Sequence, residues 1–315
     1  MDVVIVAYNR FDLTESCLAH LGRQTRAHRA IVVDNGSTDD TAARLAADWP
    51  DVSLIRIDTT RPSFAVACNS GAAASDGEYL VLLNNDVDCD PDFVERLVAP
   101  LEDEPGMGSA AAMCLRPGRE HIDSVGLTVD VTLAGFPRLQ GRPVAEADSG
   151  RPVLAGPAGT AAAYRRTAWE QAGGLDDRIF AYSEDLDLAL RLRASGWRTT
   201  AAIDAIGVHL GSASHGHRSP RQRRHGGFGR AYLARRYGVL RGRASLRTAF
   251  TEAVVVAADA VVSRDAAALK GRVAGWRAAR GLPARTPPPL DAVDREIGLR
   301  DSIAMRRGVY AQDTR

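Results

Sequence analysis

The sequence predicts an α/β fold: a mostly parallel sheet covered by helices on both faces, followed by a basic helical C-terminal extension. Three observations predict it. Over the first hundred residues short apolar runs alternate with helix-like segments. Those runs are continuously apolar, as strands buried on both faces are. The charge also changes sign along the chain: residues 1–204 carry 19 basic and 31 acidic side chains, whereas residues 205–315 carry 21 and 8.

The elements come in order. Residues 3–7 read as a buried strand, and Asp12 or Thr14 can cap a helix running towards Leu21. A strand at 30–33 ends in a turn at Asn35-Gly36 and a helix over 38–48. A third strand at 52–57 precedes a small-residue helix at 66–74. The fourth, at 79–83, stops at Asn84-Asn85-Asp86, and Pro91 is placed to open the next helix. Residues 105–165 are less regular, with β-like runs at 108–115 and 124–133. Helices at 167–172 and 184–195 flank a loop entered through Gly173-Gly174, and a strand from 197 to 203 leads to His209. Beyond Ser219 the chain reads as basic and helical. Residues 283–289 are a proline-rich break, and the residues after Leu290 read as a tail or an isolated helix.

Composition narrows the class. The chain has 315 residues, 45% apolar and 25% charged, with a net charge of +1. That is a globular composition with enough length for a sizeable core, and it excludes a wholly disordered or collagen-like chain. No run approaches the ~20 apolar residues of a membrane-spanning helix. The apolar run Val3-Val4-Ile5-Val6 lies too near Met1 to come after a basic leader, so a cytoplasmic location is expected. Four cysteines without a CxxC pair are expected to be buried thiols, not a zinc knuckle or a disulfide framework.

In parallel sheets ligands bind where strands end, so polar residues there carry the functional reading. Asp34, in Val33-Asp34-Asn35-Gly36-Ser37-Thr38, can accept hydrogen bonds from a pyrimidine N–H or a ribose hydroxyl, with Ser37 and backbone N–H groups holding the remainder. A plain capped turn has the same residues. Asp86 and Asp88 form a DxD pattern suited to a hard divalent cation, Mg²⁺ or Mn²⁺. An acidic loop favouring the next helix start is the plainer account, and it covers Asp88 more readily than Asp86. Glu184, Asp185 and Asp187 crowd the first turn of a helix, where a carboxylate suits a general base. His209 comes after a strand among glycines, where a neutral imidazole can reach a metal.

In this order, these motifs resemble family 2 inverting nucleotide-sugar glycosyltransferases of the GT-A fold, in the bacterial rhamnosyltransferase-like branch. The resemblance rests on Tyr8-Asn9-Arg10, Asp34-Asn35-Gly36-Ser37-Thr38-Asp39, Asn69 and Gly71, and Asn84-Asn85-Asp86. It continues through Gly159, Arg165-Arg166, Gly173-Gly174-Leu175-Asp176 and Tyr182-Ser183-Glu184-Asp185-Leu186-Asp187-Leu188, covering roughly residues 2–215. It implies that Tyr8 and Asp34 lie against the nucleotide base and Asn85 near the ribose. It further implies Asp86 on the divalent cation with His209 completing the metal site, Asp185 as catalytic base, and Glu184 positioning the acceptor or the base. The implied donor is a nucleoside-diphosphate sugar, dTDP-rhamnose ahead of UDP-sugars. The implied acceptor is a glycan or a polyprenyl-diphosphate-linked saccharide in cell-wall or surface-polysaccharide synthesis.

The expected division is a catalytic domain over 1–217, a basic helical region over 218–282, and a proline-rich linker and tail over 283–315. Between Arg218 and Arg247 stand ten arginines and no carboxylate. Such a block attracts phosphate, and peripheral contact with the inner face of the plasma membrane is the expectation it raises. An arginine-rich nucleic-acid-binding protein is the rival reading, with no account of the acidic strand ends. No nucleic-acid partner is therefore expected. A non-catalytic relative that binds sugar nucleotide is a third reading. A dinucleotide-dependent dehydrogenase is disfavoured, because the first strand runs into Tyr8-Asn9-Arg10 and not a GxGxxG turn.

Overall fold

The computed structural model describes residues 1–211 and 219–306. The expected boundary at 217/218, and Arg218 itself, lie outside the described residues. The first half builds β1 (Asp2–Ala7), α1 (Phe11–Leu21), β2 (Arg29–Asp34), α2 (Thr41–Asp48), β3 (Ser53–Arg56), α3 (Phe64–Ala73), β4 (Tyr79–Asn84), β5 (Val87–Cys89) and α4 (Phe93–Asp103). After these come β6 (Met107–Leu115), β7 (Ile122–Ser124), β8 (Leu127–Val129), β9 (Gly135–Pro137), β10 (Ala161–Arg165), α5 (Arg166–Ala172), α6 (Glu184–Ala194) and β11 (Arg198–His209). The extension consists of α7 (Pro220–Arg236), α8 (Ser245–Ser263), α9 (Ala267–Ala278) and the short α10 (Leu299–Met305).

The main sheet runs β3-β2-β1-β4-β10-β6-β11-β5, with β7 beside β6. β3, β2, β1 and β4 are parallel, as their uniform apolar runs predict, and β6 pairs parallel with β11. The sheet is mixed, because β10 enters antiparallel between β4 and β6 and β5 pairs antiparallel with β11. Strand alternation then divides the core. Val3, Ile5 and Ala7 pack with α1 and α4 on one face, while Val4 and Val6 pack with α3, α5 and α6 on the other.

Local chemistry moves several helix starts. α1 begins at Phe11 behind Arg10, which is in the left-handed region (φ 54°), so Thr14 is buried inside the helix instead of capping it. α3 begins at Phe64 because the Ser63 hydroxyl accepts from the N–H of Val66. Pro91 sits in the turn before α4, two residues ahead of its first helical residue.

α6 is sandwiched. Leu188 and Leu192 face the sheet, while Leu186 and Leu190 join Tyr232, Leu233 and Tyr237 of the extension. α7 and α9 approach closely: a Cβ at Gly271 would stand 2.0 Å from the Arg224 carbonyl oxygen, and one at Gly275 2.1 Å from that of Phe228. The segment expected as linker and tail makes contacts of its own. Arg285 donates to Asp176 and Asp187, Ser302 to Asp130, and Arg306 to Glu252.

Candidate functional site

The parallel register brings the carboxyl ends of β2, β1 and β4 side by side, with Ala7 opposite Asp34 and Val6 opposite Asn84. β10 starts at the same edge, where the N–H of Asn84 donates to the Thr160 carbonyl at 2.9 Å. One residue earlier, the N–H of Gly159 donates to Asp185 Oδ2 at 2.9 Å. Asp34, Asp86 and Asp185, spread over half the chain, therefore stand along one strand-end edge.

At the β2 end, Asp34 is fully buried, and its Oδ1 accepts from the N–H of Ser37 at 3.0 Å. Its Oδ2 and the Asn35 Oδ1 are buried without a hydrogen-bond partner among the described residues. Arg56 approaches that Asp34 oxygen only to 3.9 Å, beyond hydrogen-bonding distance. Buried acceptors left open are costly unless a ligand donates to them. Ser37 accepts from the N–H of Asn9 at 2.8 Å, and the Asn9 side chain accepts from the N–H of Thr38 at 2.8 Å. This lacing fixes the half-buried Tyr8 beside Asp34's turn.

At the β4 end, Asp86 and His209 meet. Asp86 Oδ1 lies 3.4 Å from His209 Nε2, and the N–H of Leu210 donates to the Asp86 carbonyl. The other ring nitrogen, Nδ1, lies 2.8 Å from Asp123 Oδ2. Burial alone would lower the imidazole's pKa, but the two carboxylates outweigh it and push it up to about 10.

Two expected residues are turned elsewhere. Asn85 donates its amide to Thr14 Oγ1 of α1 at 2.9 Å. Asp88 is not beside Asp86: it accepts from Ser16 at 2.8 Å and lies 3.7 Å from His20 Nε2, both on α1. The turn at 85–86 breaks the two-residue alternation that would have put both carboxylates on one face. The structure therefore does not bring the expected second ligand, Asp88, together with Asp86 and His209.

Asp123 is the residue that sequence reading missed. It lies in a three-residue strand within the irregular stretch, and no local pattern marks it. Among the described residues no cluster of three or more His, Cys, Asp or Glu forms a metal cage. One carboxylate and one imidazole, once the cation displaces the Nε2 proton, would fit a hard divalent cation alongside phosphate oxygens and water. The Asp123 contact on Nδ1 is the outer-shell support such a histidine ordinarily has.

The start of α6 supplies the third part. Tyr182 and Ser183 adopt left-handed backbone (φ 66° and 91°), an uncommon conformation for non-glycine residues, found where the surroundings over-determine the turn. α7 presses on that turn: a Cβ at Gly229 would stand 2.3 Å from the Tyr182 carbonyl oxygen. Asp185 accepts from Gly159 and, through Oδ1, from its neighbour Leu186 at 2.7 Å. Burial raises its pKa, and these N–H groups oppose the rise. Burial, then the charge of Asp185, holds Glu184 well above the carboxylate range, and its Oε2 has no partner among the described residues. Both carboxyls are thus pushed upward, and the two N–H donors on Asp185 favour its ionisation over that of Glu184.

Four of the arginines between Arg218 and Arg247 are paired with acids inside the protein. Arg223 pairs with Asp259 and Asp265, Arg230 with Glu252, Arg236 with Asp176, and Arg247 with Asp130. Cavities of 350 and 430 Å³ open elsewhere, one beside Arg96 and Asp204, the other beside Arg193 and Pro289, and neither is lined by the strand-end carboxylates.

Comparison with known proteins places the chain in a family. The family described as Glycosyl transferase family 2 matches residues 2–172, and Glycosyl transferase family group 2 matches 141–276. The O-antigen biosynthesis protein RfbC of Myxococcus xanthus is 29% identical over 225 residues, which are 68% of this chain but only 17% of that protein. The N-acetylglucosaminyl-diphospho-decaprenol L-rhamnosyltransferase of Mycobacterium tuberculosis is 27% identical over 233 residues, 66% of this chain and 75% of that one. The O-antigen chain rhamnosyltransferase RfbN of Salmonella typhimurium is 25% identical, over 66% of this chain and 65% of that one. Among solved structures, the mannosyltransferase PcManGT of Pyrobaculum calidifontis, in complex with GDP-Man and Mn²⁺, superposes with a TM-score of 0.55 at 20% identity, over 97% of this chain and 83% of that one. S. aureus TarS 1-349 in complex with UDP-GlcNAc does so with 0.52 at 14% identity, over 74% and 65%. These likenesses show the GT-A architecture.

Proposed function

Because this chain belongs to glycosyl transferase family 2, we propose that it is an inverting, cation-assisted transferase. It would move a sugar, rhamnose first, from a nucleoside diphosphate to a hydroxyl of a glycan or a polyprenyl-diphosphate-linked saccharide. The observation that carries the reading is the alignment of Asp34, Asp86 and Asp185 along one strand-end edge, each held by backbone donors or a histidine. Rhamnose is favoured by the names of two relatives, one of which also names a decaprenyl diphosphate acceptor. UDP-sugars come next.

Asp34 and Asn35 offer the open acceptors for the N–H and hydroxyl donors of the nucleoside, with Tyr8 against the base. Asp86 and His209 would hold Mg²⁺ or Mn²⁺, which neutralises diphosphate charge when bound. Asp185 takes the proton from the acceptor hydroxyl as its oxygen bonds to the anomeric carbon from the face opposite the diphosphate. The bond from that carbon to the phosphate oxygen breaks, and its electron pair leaves with the nucleoside diphosphate. Each Asp185 oxygen accepts one backbone hydrogen bond and keeps a lone pair for this proton. Protonated Glu184 remains a hydrogen-bond donor that can orient the acceptor.

A donor panel tests the reading: dTDP-rhamnose, UDP-hexoses and GDP-mannose, with nucleoside diphosphate release measured in Mn²⁺ and in EDTA. Release from dTDP-rhamnose, dependent on acceptor and abolished by EDTA, is expected. Equal turnover in EDTA would remove the cation. Turnover of GDP-mannose alone would overturn the sugar assignment.

A further inference from the structure

α8 is built inside out. Its polar side chains face the protein: Thr248 and Thr251 are fully buried, Glu252 pairs with Arg230, Arg272 and Arg306, Asp259 with Arg223, and Arg247 with Asp130. Its outer side is a row of Leu246, Phe250, Ala253, Ala257 and Val261, all exposed, with spacings of three or four residues. Leu246, Phe250 and Val261 are 85%, 55% and 76% exposed. At 1.5 Å per residue the row is about 22 Å long. A helix on a water-facing surface shows the opposite arrangement, and a continuous exposed apolar row marks an interaction surface.

Its ends identify the partner. Arg241 and Arg243 precede the helix, Arg264 ends it, and Lys270 lies one turn into α9, all exposed. None of the four has an ion pair among those found for the described residues, whereas Arg223, Arg230 and Arg236 of α7 do. A second copy of this chain fits poorly. Paired parallel or antiparallel along α8, two copies would bring cations against cations at both ends. An anionic lipid surface meets both requirements, with phosphates for the end cations and an acyl boundary for the row between. No described helix is long and apolar enough to cross a membrane, so the contact is one of lying on the surface.

We propose that α8 seats the protein on an anionic bilayer surface, with Leu246, Phe250 and Val261 as the inserted side chains and Arg243 and Arg264 as the headgroup contacts. This does not depend on the identity of the donor or acceptor. It narrows the arginine block to its unpaired members beside α8, since Arg223, Arg230, Arg236 and Arg247 are paired within the fold.

The test is flotation of the full chain with vesicles of phosphatidylcholine alone or mixed equally with phosphatidylglycerol. Binding to the mixed vesicles only, weakened by salt, is expected. Leu246→Ser with Phe250→Ser should lower partitioning by more than about tenfold, because each buried apolar side chain is worth at least that factor. Arg243→Glu with Arg264→Glu should also lower it. Both variants should unfold at the wild-type temperature, because the altered side chains face outward. Absence of flotation with the anionic vesicles, or flotation that both variants keep, overturns the proposal. So does a dimer, seen by light scattering, that the serine variant dissolves; the row is then a self-interface. Flotation that appears only after removal of residues 307–315 also overturns it, since the terminus then covers the row. Nucleoside diphosphate release with a soluble acceptor reads the transferase separately, so the two assignments fail independently.

Discussion

Glu184 and Asp185 are adjacent carboxyls, the first buried and the second half-buried, with different hydrogen-bond surroundings. Asp185 has two backbone donors, whereas one Glu184 oxygen has none. Asp185→Asn is therefore expected to lower kcat by roughly 10²–10⁴-fold, the usual contribution of a general base, with donor affinity kept. Glu184→Gln imitates the protonated acid and should stay within about tenfold of wild type. Equal losses in the two variants would undo the division of labour. The pH profile derives from the same burial. Asp185 must be ionised to accept a proton, and its raised pKa brings protonation in at a higher pH. The acid limb of kcat/KM should accordingly fall off above the ordinary carboxylate range and disappear in Asp185→Asn. Asp123 acts through His209: with Nδ1–H donated to it, Nε2 is left facing Asp86. Asp123→Ala should weaken Mn²⁺ binding in the presence of nucleoside diphosphate by about 10–100-fold, read by electron paramagnetic resonance of free Mn²⁺. Unchanged affinity would make the contact purely structural. These residues differ in legibility for a physical reason. Asp34, Asp86 and Asp185 end apolar strands or start a helix, which the chain itself announces. Asp123 is placed only by β6 pairing with both β7 and β11, and no local pattern records that pairing.

At the scale of elements, the helix carrying Asp185 is held from two sides, by the sheet through Leu188 and Leu192 and by the extension through Leu186 and Leu190. Its first turn is pinned from outside where Gly229 lies against Tyr182 and Ser183. Gly229→Ala places a methyl group 2.3 Å from a carbonyl oxygen, so α7 or the turn must move. A stability loss of about 1–3 kcal/mol is expected, as for other overpacked contacts. Because the displaced turn precedes Asp185 by two residues, kcat should fall further than donor affinity does. A variant that loses stability but keeps kcat would show that the extension merely packs there. Helical spacing in α6 and α8 is readable from the sequence, and both helices form. The orientation of α8 is not readable, because apolar periodicity marks a stripe without saying whether protein or something else covers it. Likewise, continuous apolar runs announce β1 to β4 as parallel, whereas β10 and β5 join antiparallel after turns with no strong signature.

Over the whole molecule, the abrupt change of charge sign becomes a packing relation. Arg230, Arg272 and Arg306 surround Glu252, while Arg285 reaches Asp176 and Asp187, and Arg247 and Ser302 reach Asp130. The sequence shows the excess of arginine but not its partners, since Asp130, Asp176 and Asp187 lie about a hundred residues from Arg247 and Arg285, while Glu252 lies within the extension itself. The segment after 282 supplies several of these contacts, so its removal tests the relation directly. A chain ending at Leu282 leaves Asp187 and Asp176 without Arg285, Asp130 without Ser302, and Glu252 without Arg306. Each anion keeps another arginine, so the loss falls short of the ~3–5 kcal/mol of a stranded buried charge, and a fall in Tm of about 2–4 °C per kcal/mol lost is expected. The pH dependence carries the sign. Burial opposes ionisation of Glu252, but its three arginines hold its pKa far below the ordinary range. Its contribution is thus complete above the unfolded glutamate pKa and is lost as pH falls towards the folded one. The full chain should destabilise steeply on acidification, and the shortened chain less steeply because Arg306 is gone. If the shortened chain melts at the wild-type temperature with the same acid slope, these ion pairs do not hold the extension to the catalytic body. The support of α6 would then rest on apolar contact with α7 alone.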